Sequence, residues 1–304
     1  MKRTRKNILR RKAGQKSKFS NMLSIADKYN KLKEILSKYG GLLVAYSGGV
    51  DSSLLLKVAH DVLGDNVLAV IAKSETYPEE EGDAAVKYVR KLGVRYKVIQ
   101  TNEFNDERFI SNPPERCYYC KKELFSQLSA IAKKEGIKYV ADGSNVSDLS
   151  DFRPGTNASR EYGIKSPLRE AGFTKDNIRE LSRKLKLPTW NKPQLACIAS
   201  RIPYGTRITK DILKKIEKGE KYLHSLGLKQ VRVRHHGNLA RIEVDKCDVA
   251  SLIEEGIADK IDKKFKSLGY NYVTIDLAGY RTGSMNEALA SKGYNFLTSE
   301  IAGE

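Results

Sequence analysis

The stretch Ser47-Gly48-Gly49-Val50-Asp51-Ser52-Ser53 holds residue types suited to phosphate. Gly48 and Gly49 lack side chains, so their backbone N–H groups can close on an anion. A helix starting just after them adds the positive end of its dipole. Ser47, Ser52 and Ser53 supply hydroxyl donors. Asp51 is out of place in an anion nest unless it caps the helix or faces a cation such as Mg2+. The Gly-x-x-x-x-Gly-Lys-Ser spacing of a Walker A loop is absent. The plain alternative is a glycine turn between strand and helix. Serines, glycines and aspartate matched together in one strand–turn–helix setting weigh against it.

The thiols are the second chemical set. Cys117-Tyr118-Tyr119-Cys120 follows the breaker Asn112-Pro113-Pro114 and opens a helix. Two thiols three positions apart there can face one metal centre, and a helix start favours thiolate. A zinc ribbon needs a second pair, which is missing; a thioredoxin-like pair would normally follow directly on a strand. Cys197 lies in an irregular stretch beside Ser200 and Arg201, which could hold a phosphate or carboxylate. Three cysteines suit a 4Fe–4S cluster held by three irons with the fourth left open, although two unrelated structural sites would look the same. Cys247 reads as structural. The four histidines show no His–Glu–x–x–His spacing, which argues against hydrolytic zinc.

Elements must bring these sets together. Apolar runs predict strands at 42–46, 67–72, 94–100 and 138–141, with helices at 20–39, 54–59, 79–92 and 120–134 between them. Such alternation implies a parallel sheet with helices on both faces. Ligands then lie beyond the carboxyl ends of the strands. The expected site therefore gathers 47–53, Lys73-Ser74-Glu75, the segment from Thr101, and Asp142-Gly143-Ser144-Asn145. Past a loop-rich tract, Thr174 caps a helix to Lys186. A second unit begins near Ile208: helix 210–226, a hairpin of strands 230–235 and 239–244 around His236-Gly237-Asn238, helix 248–267 and strand 272–277. This αββαβ set predicts a smaller α+β domain with one solvated sheet face. The expected division is a basic arm at 1–19, a first domain at 20–207 and a second at 208–304.

The 304 residues carry a net charge of +18, and nine Lys or Arg with no acid fall within residues 1–18. A nucleic-acid contact and a solvated tail both fit this arm; with no aromatic residue before Phe19, the tail is favoured. No apolar run approaches the ~18–20 residues of a membrane span. With no secretory apolar region either, the cytoplasm is the expected compartment.

The loop Ser47-Gly48-Gly49-x-Asp51-Ser52 looks like the PP-loop of enzymes that cleave ATP between its α and β phosphates. Arg153-Pro154-Gly155, Lys165-Ser166-Pro167-Leu168, residues 187–193, Ala196-Cys197-Ile198-Ala199-Ser200-Arg201 and residues 279–286 together resemble the LarE family, over roughly residues 20–286. The resemblance implies a PP-loop α/β fold of the adenine nucleotide α-hydrolase type plus a smaller C-terminal domain, usually in homo-oligomers. It implies ATP and Mg2+ at Ala45, Ser47, Gly48, Gly49, Asp51, Ser52, Ser53, Ser74 and Gly143. The implied activity is adenylation of a small-molecule carboxylate, a pyridinium biscarboxylate mononucleotide, followed by sulfur insertion towards the nickel-pincer nucleotide. In one branch a cysteine at the position of Cys197 gives up its sulfur and becomes dehydroalanine. In another, cysteines at the positions of Cys117, Cys120 and Cys197 hold a 4Fe–4S cluster that carries sulfide from a donor. With all three present, this chain sides with the cluster branch. A PP-loop tRNA-thiolation enzyme, favoured by the charge and the arm, and a non-catalytic RNA-binding module are the competing readings.

Overall fold

The computed structural model describes residues 23–150, 154–193 and 196–290. The basic arm, Arg153 and Gln194-Leu195 lie outside the described residues. Helix α1 (Ile25–Ser37) starts where Ser24 and Asp27 cap each other's backbone N–H groups. Then follow β1 (Leu42–Ala45), α2 (Val50–Leu63), β2 (Val67–Lys73), α3 (Glu79–Leu92), β3 (Arg95–Gln100), α4 (Arg116–Lys134), β4 (Tyr139–Ala141) and α5 (Lys175–Lys184), linked by turns and short helical segments. Helix α4 begins at Arg116 and not at the expected 120, because Asn112 takes a left-handed φ of 60° and completes the turn before it. Both Cys117 and Cys120 are thus inside the helix.

The strands form one parallel sheet in the order β3-β2-β1-β4. Alternation along β1 and β2 splits the core. Leu42, Val44, Ala69 and Ile71 pack with Leu32, Leu36, Leu55, Val89 and Ile178. Leu43, Leu68 and Val70 face Phe125, Leu128 and Val140. Helices on both faces leave the strand ends as the open edge of the layer, as expected for this fold class. Among the described residues, no helix is long and apolar enough to cross a membrane.

The second unit keeps the expected αββαβ order: α6 (Lys210–Ser225), β5 (Val231–His236), β6 (Leu239–Val244), α7 (Ile257–Ser267) and β7 (Tyr272–Ile275). Helix α7 starts at Ile257 and not at the expected 248, after Gly256 at φ 77°. β5 and β6 pair antiparallel, and β6 and β7 parallel. Val231, Val233, Ile242 and Val244 face Leu213, Ile216, Leu223 and Phe265. The opposite face is solvated only in part: His236, Tyr272 and Thr274 are exposed, while Arg232, Arg234 and Glu243 form a buried part. Residues 279–286 fold over it, and Arg234 donates to Glu243 at 2.7 Å and to Ser284 at 2.9 Å. Glu243 is 0% exposed. Polar alternation marks a face that needs hydrogen bonds, and here protein supplies them in place of water. The same core also takes in Phe109, Ile198, Ala199 and Ile202 from the first two-thirds of the chain.

Candidate functional site: a glycine loop and three cysteines on one cleft

Residues 46–49 turn from β1 into α2. Gly48 has φ 72°, and a Cβ there would sit 3.1 Å from that of Ala85, so the position excludes side chains twice over. The first intrahelical bond runs from the Ser53 N–H to the Gly49 carbonyl at 3.0 Å. The N–H groups before it are the usual unpaired donors of a helix start. Ser47 and Ser52 hydroxyls meet at 3.1 Å, and Ser52 donates to the Gly49 carbonyl at 3.3 Å. Gly143 brings the loop after β4 against this helix start; a Cβ there would lie 2.9 Å from the Ser52 nitrogen.

A cleft of about 350 Å³ opens over these groups. Ala45, Ser47, Gly49, Asp51, Ser52, Ser74 and Gly143 line it, which places these expected residues together. Gly48 is packed beneath the turn, and Ser53 is 0% exposed with its hydroxyl 3.2 Å from that of Tyr46. Ser53 therefore braces β1 against α2, and its hydroxyl faces away from the cleft.

Three basic residues at the loop were missed as site residues. Lys175 reaches the Asp51 carboxylate at 2.5 Å. Even so, burial pushes the Asp51 carboxyl above its ordinary value, with Lys175 opposing. Lys192 donates to the Gly48 carbonyl at 3.1 Å and pairs with Glu81. Arg179, one turn after Lys175 on α5, holds the carbonyls of Trp190 at 3.1 Å and Lys192 at 3.0 Å. The spacing Lys175-x-x-x-Arg179-x-x-x-Arg183 marks one helical face and was the available signal. For Lys192 the available signal was its place in residues 187–193, one of the tracts that resemble the LarE family.

At its other end the cleft is lined by Tyr77, Glu103 and Cys120. Cys117 and Cys120 share a face of the first turns of α4; Cys117 is exposed and Cys120 half-buried. Cys197, also half-buried, is carried by a loop that crosses to the segment after β2: the Ile198 N–H donates to the Thr76 carbonyl at 2.8 Å. Burial pushes the Cys197 thiol up, while a Thr76 hydrogen bond and the Arg116 charge oppose the rise and Cys117 adds to it. Burial, then the charges of Glu103, Cys197 and Cys117, raise the Cys120 thiol well above its ordinary value. Tyr77 is 43% exposed, yet its hydroxyl tip is buried, and that burial together with Cys197, Cys120 and Cys117 drives the phenol upward. Among the described residues, no three or more His, Cys, Asp or Glu side chains form a group able to hold a metal ion.

Buried side chains brace this end. Arg116 donates to Asn112 at 2.8 Å and lies 4.5 Å over the Tyr204 ring. Asn112 in turn donates to the carbonyls of Pro203 at 2.8 Å and Thr206 at 2.9 Å. Arg201 is 2% exposed; it grips Glu220 through two nitrogens and donates to the Ala196 and Cys197 carbonyls at 2.6 and 3.0 Å. It also donates to the Ser200 hydroxyl at 3.2 Å. Arg201, expected together with Ser200 to hold a substrate anion, has its nitrogens engaged within the chain, where they fix the loop of Cys197.

The sequence pattern of the family described as NAD synthase matches residues 24–111, which span α1 to β3 and include the glycine loop. A pyridinium-3,5-bisthiocarboxylic acid mononucleotide synthase of Lactiplantibacillus plantarum is 40% identical over 88% of this chain and 97% of its own length. An uncharacterized protein of Synechocystis is 40% identical over 87% of this chain and 99% of its own length. A glutamine-hydrolyzing GMP synthase of Lactobacillus acidophilus is 26% identical over 50% of this chain and 33% of its own length.

Proposed function

The chain belongs to the family of the pyridinium-3,5-bisthiocarboxylic acid mononucleotide synthase, the LarE family, and on that premise we propose that it is an ATP-dependent sulfurtransferase of nickel-pincer cofactor biosynthesis. A carboxylate oxygen of pyridinium-3,5-biscarboxylate mononucleotide attacks the α-phosphorus of ATP, the bond to the β-phosphate oxygen breaks, and pyrophosphate leaves. A sulfur nucleophile then attacks the acyl carbon and expels AMP, leaving a thiocarboxylate. Neither step needs an oxidant or a reductant. The carboxylate is a poor electrophile until AMP is attached; donors aimed at the departing pyrophosphate lower that barrier.

The observation that carries this reading is the single cleft running from Ser47, Gly49 and Ser52 to Cys120. Ser47, Gly49, Ser52 and the α2 start serve the phosphates, Asp51 would hold Mg2+ when it is bound, and Ala45, Ser74 and Gly143 border the nucleotide. Cys117, Cys120 and Cys197 are the residues to hold a 4Fe–4S cluster. The donor set suits it: thiolates of a cluster bind different irons, so they need not converge as the ligands of one ion must. Bound there, the cluster supplies an open iron that keeps sulfide deprotonated and nucleophilic. On family grounds the enzyme is a cytoplasmic homo-oligomer, supplied with sulfide or another sulfur donor.

Anaerobic assay of purified protein with Mg2+-ATP, the biscarboxylate nucleotide and sulfide should yield AMP, pyrophosphate and a thiocarboxylate detected by mass. No AMP would overturn the reading. AMP and sulfur transfer only with added tRNA would transfer the chain to the thiolation reading that its charge of +18 favours.

A further inference from the structure

Lys192 belongs to no part of the glycine-loop motif, yet its ammonium rests on the loop. It donates to the Gly48 carbonyl at 3.1 Å while pairing with Glu81 of the α3 start. Its backbone is held in place, since Arg179 on α5 grips the carbonyls of Trp190 and Lys192. The same helix delivers Lys175 to Asp51 on the other flank of the loop. Both of these ammonium groups are therefore neutralised by carboxylates of the chain itself. A triphosphate brings several negative charges to this point. It would repel Glu81 and offer Lys192 a stronger acceptor, because charge-assisted bonds to phosphate are shorter and firmer than most others.

We propose that Lys192 is a ligand of the pyrophosphate end of bound ATP, and that Glu81 is its intramolecular stand-in, displaced when the nucleotide arrives. The inference rests on the reading of the cleft as an ATP site. The direction of the nucleotide follows from the chemistry. The α-phosphorus must be reached by a carboxylate whose acyl carbon then meets sulfur, so it faces the end lined by Cys120. The β and γ phosphates then point the other way, into the glycine turn where Lys192 stands. The cation thus acts on the group that departs and not on the adenylate that remains.

The test is calorimetric titration of the full chain with Mg2+ and α,β-methylene-ATP, which is not cleaved at the α–β position, and separately with AMP. Lys192→Ala should weaken the triphosphate analogue about tenfold or more while moving AMP by less than about twofold, the range for losing one hydrogen bond to a charged group. Glu81→Gln should do the opposite, tightening the analogue severalfold, which a merely damaged loop would not. Equal weakening of both nucleotides by Lys192→Ala, or a weaker analogue with Glu81→Gln, would overturn the inference while the ATP site itself stood. A parental chain that bound neither nucleotide would overturn both.

Discussion

At one end of the cleft the phosphate-type groups come from consecutive positions, 47–52, on a single strand–turn–helix. At the other, Tyr77, Glu103, the Cys117–Cys120 pair and Cys197 arrive on four separate segments, and buried polar side chains hold those segments in register. A contiguous loop needs little outside itself beyond a neighbour to pack on, here Ala85 under Gly48. A composite end depends on every brace. Asn112 joins the approach to α4 to residues 203–206, and Arg201 ties the loop of Cys197 to Glu220 on α6. The first end tolerates change around it and fails when its own groups are altered; the second fails when residues well away from the sulfur are altered.

The sharpest way to break this comparison is Cys197→Ala. Sulfur transfer should fall by roughly three orders of magnitude or more, as when a unit of cooperating groups loses a member, while adenylation, read as pyrophosphate release, continues. Asp51→Ala should stop pyrophosphate release, and with it sulfur transfer, in a folded protein. If Cys117 and Cys120 share a cluster with Cys197, replacing either by Ala should cost as much as Cys197→Ala, with iron and sulfide content lost in parallel. If Cys197 is instead a sacrificial donor, those two variants should complete one turnover. The spent chain would then be lighter by about 34 Da, the mass of the hydrogen sulfide lost on passing from thiol to dehydroalanine. Loss of pyrophosphate release in Cys197→Ala would show that the two ends are not separable.

Arg201→Ala tests the braces. The pair Arg201–Glu220 is buried, with side-chain exposures of 2% and 12%. Removing one member leaves an uncompensated carboxylate, which costs about 3 kcal/mol or more. Glu220 would keep its bond from the Val233 N–H at 3.0 Å, and the Cys197 loop would lose both carbonyl anchors. Urea unfolding should register the destabilisation, and sulfur transfer should drop further than pyrophosphate release. Equal losses in the two activities would mean that Arg201 supports the fold as a whole and gives the cysteine end nothing particular.

What could be read from the residues follows the same division. The glycine loop is local, and so is the Cys-x-x-Cys pair; both stand out by spacing. The alternation of strands and helices sufficed for the parallel sheet. Lys192 could not be found by spacing, because one lysine among 55 Lys and Arg residues carries no pattern of its own; its one signal was its place in residues 187–193, which resemble the LarE family. Its place is set by Arg179, two segments meeting in space. The start of α4 was misplaced because Asn112-Pro113-Pro114 reads as a break, and only the left-handed Asn112 shows that the chain recovers by Arg116. The face of β5 and β6 bearing Arg232, Arg234 and Glu243 looked solvated because alternation cannot tell water from a buried partner such as Ser284.

The smallest effect separates two neighbours. Ser52 and Ser53 follow Asp51 and looked equivalent as hydroxyl donors. Helical geometry turns successive residues by about 100°, so adjacent side chains cannot face the same way. Ser52 lines the cleft beside Ser47, whereas Ser53 is buried against Tyr46 at 3.2 Å. Ser53→Ala should therefore leave ATP-analogue affinity unchanged while costing about 1 kcal/mol of stability, the usual worth of one buried hydrogen bond whose partner is left behind. Tyr46→Phe should cost a similar amount. The double variant should cost less than the sum, since removing both polar groups leaves neither unsatisfied. Ser52→Ala should instead weaken the analogue at little cost to stability, for Ser47 and the α2 backbone keep their places without it. A loss of nucleotide affinity in Ser53→Ala equal to that in Ser52→Ala would mean that the loop carries its function around the whole first turn of α2 and not on its cleft-facing side.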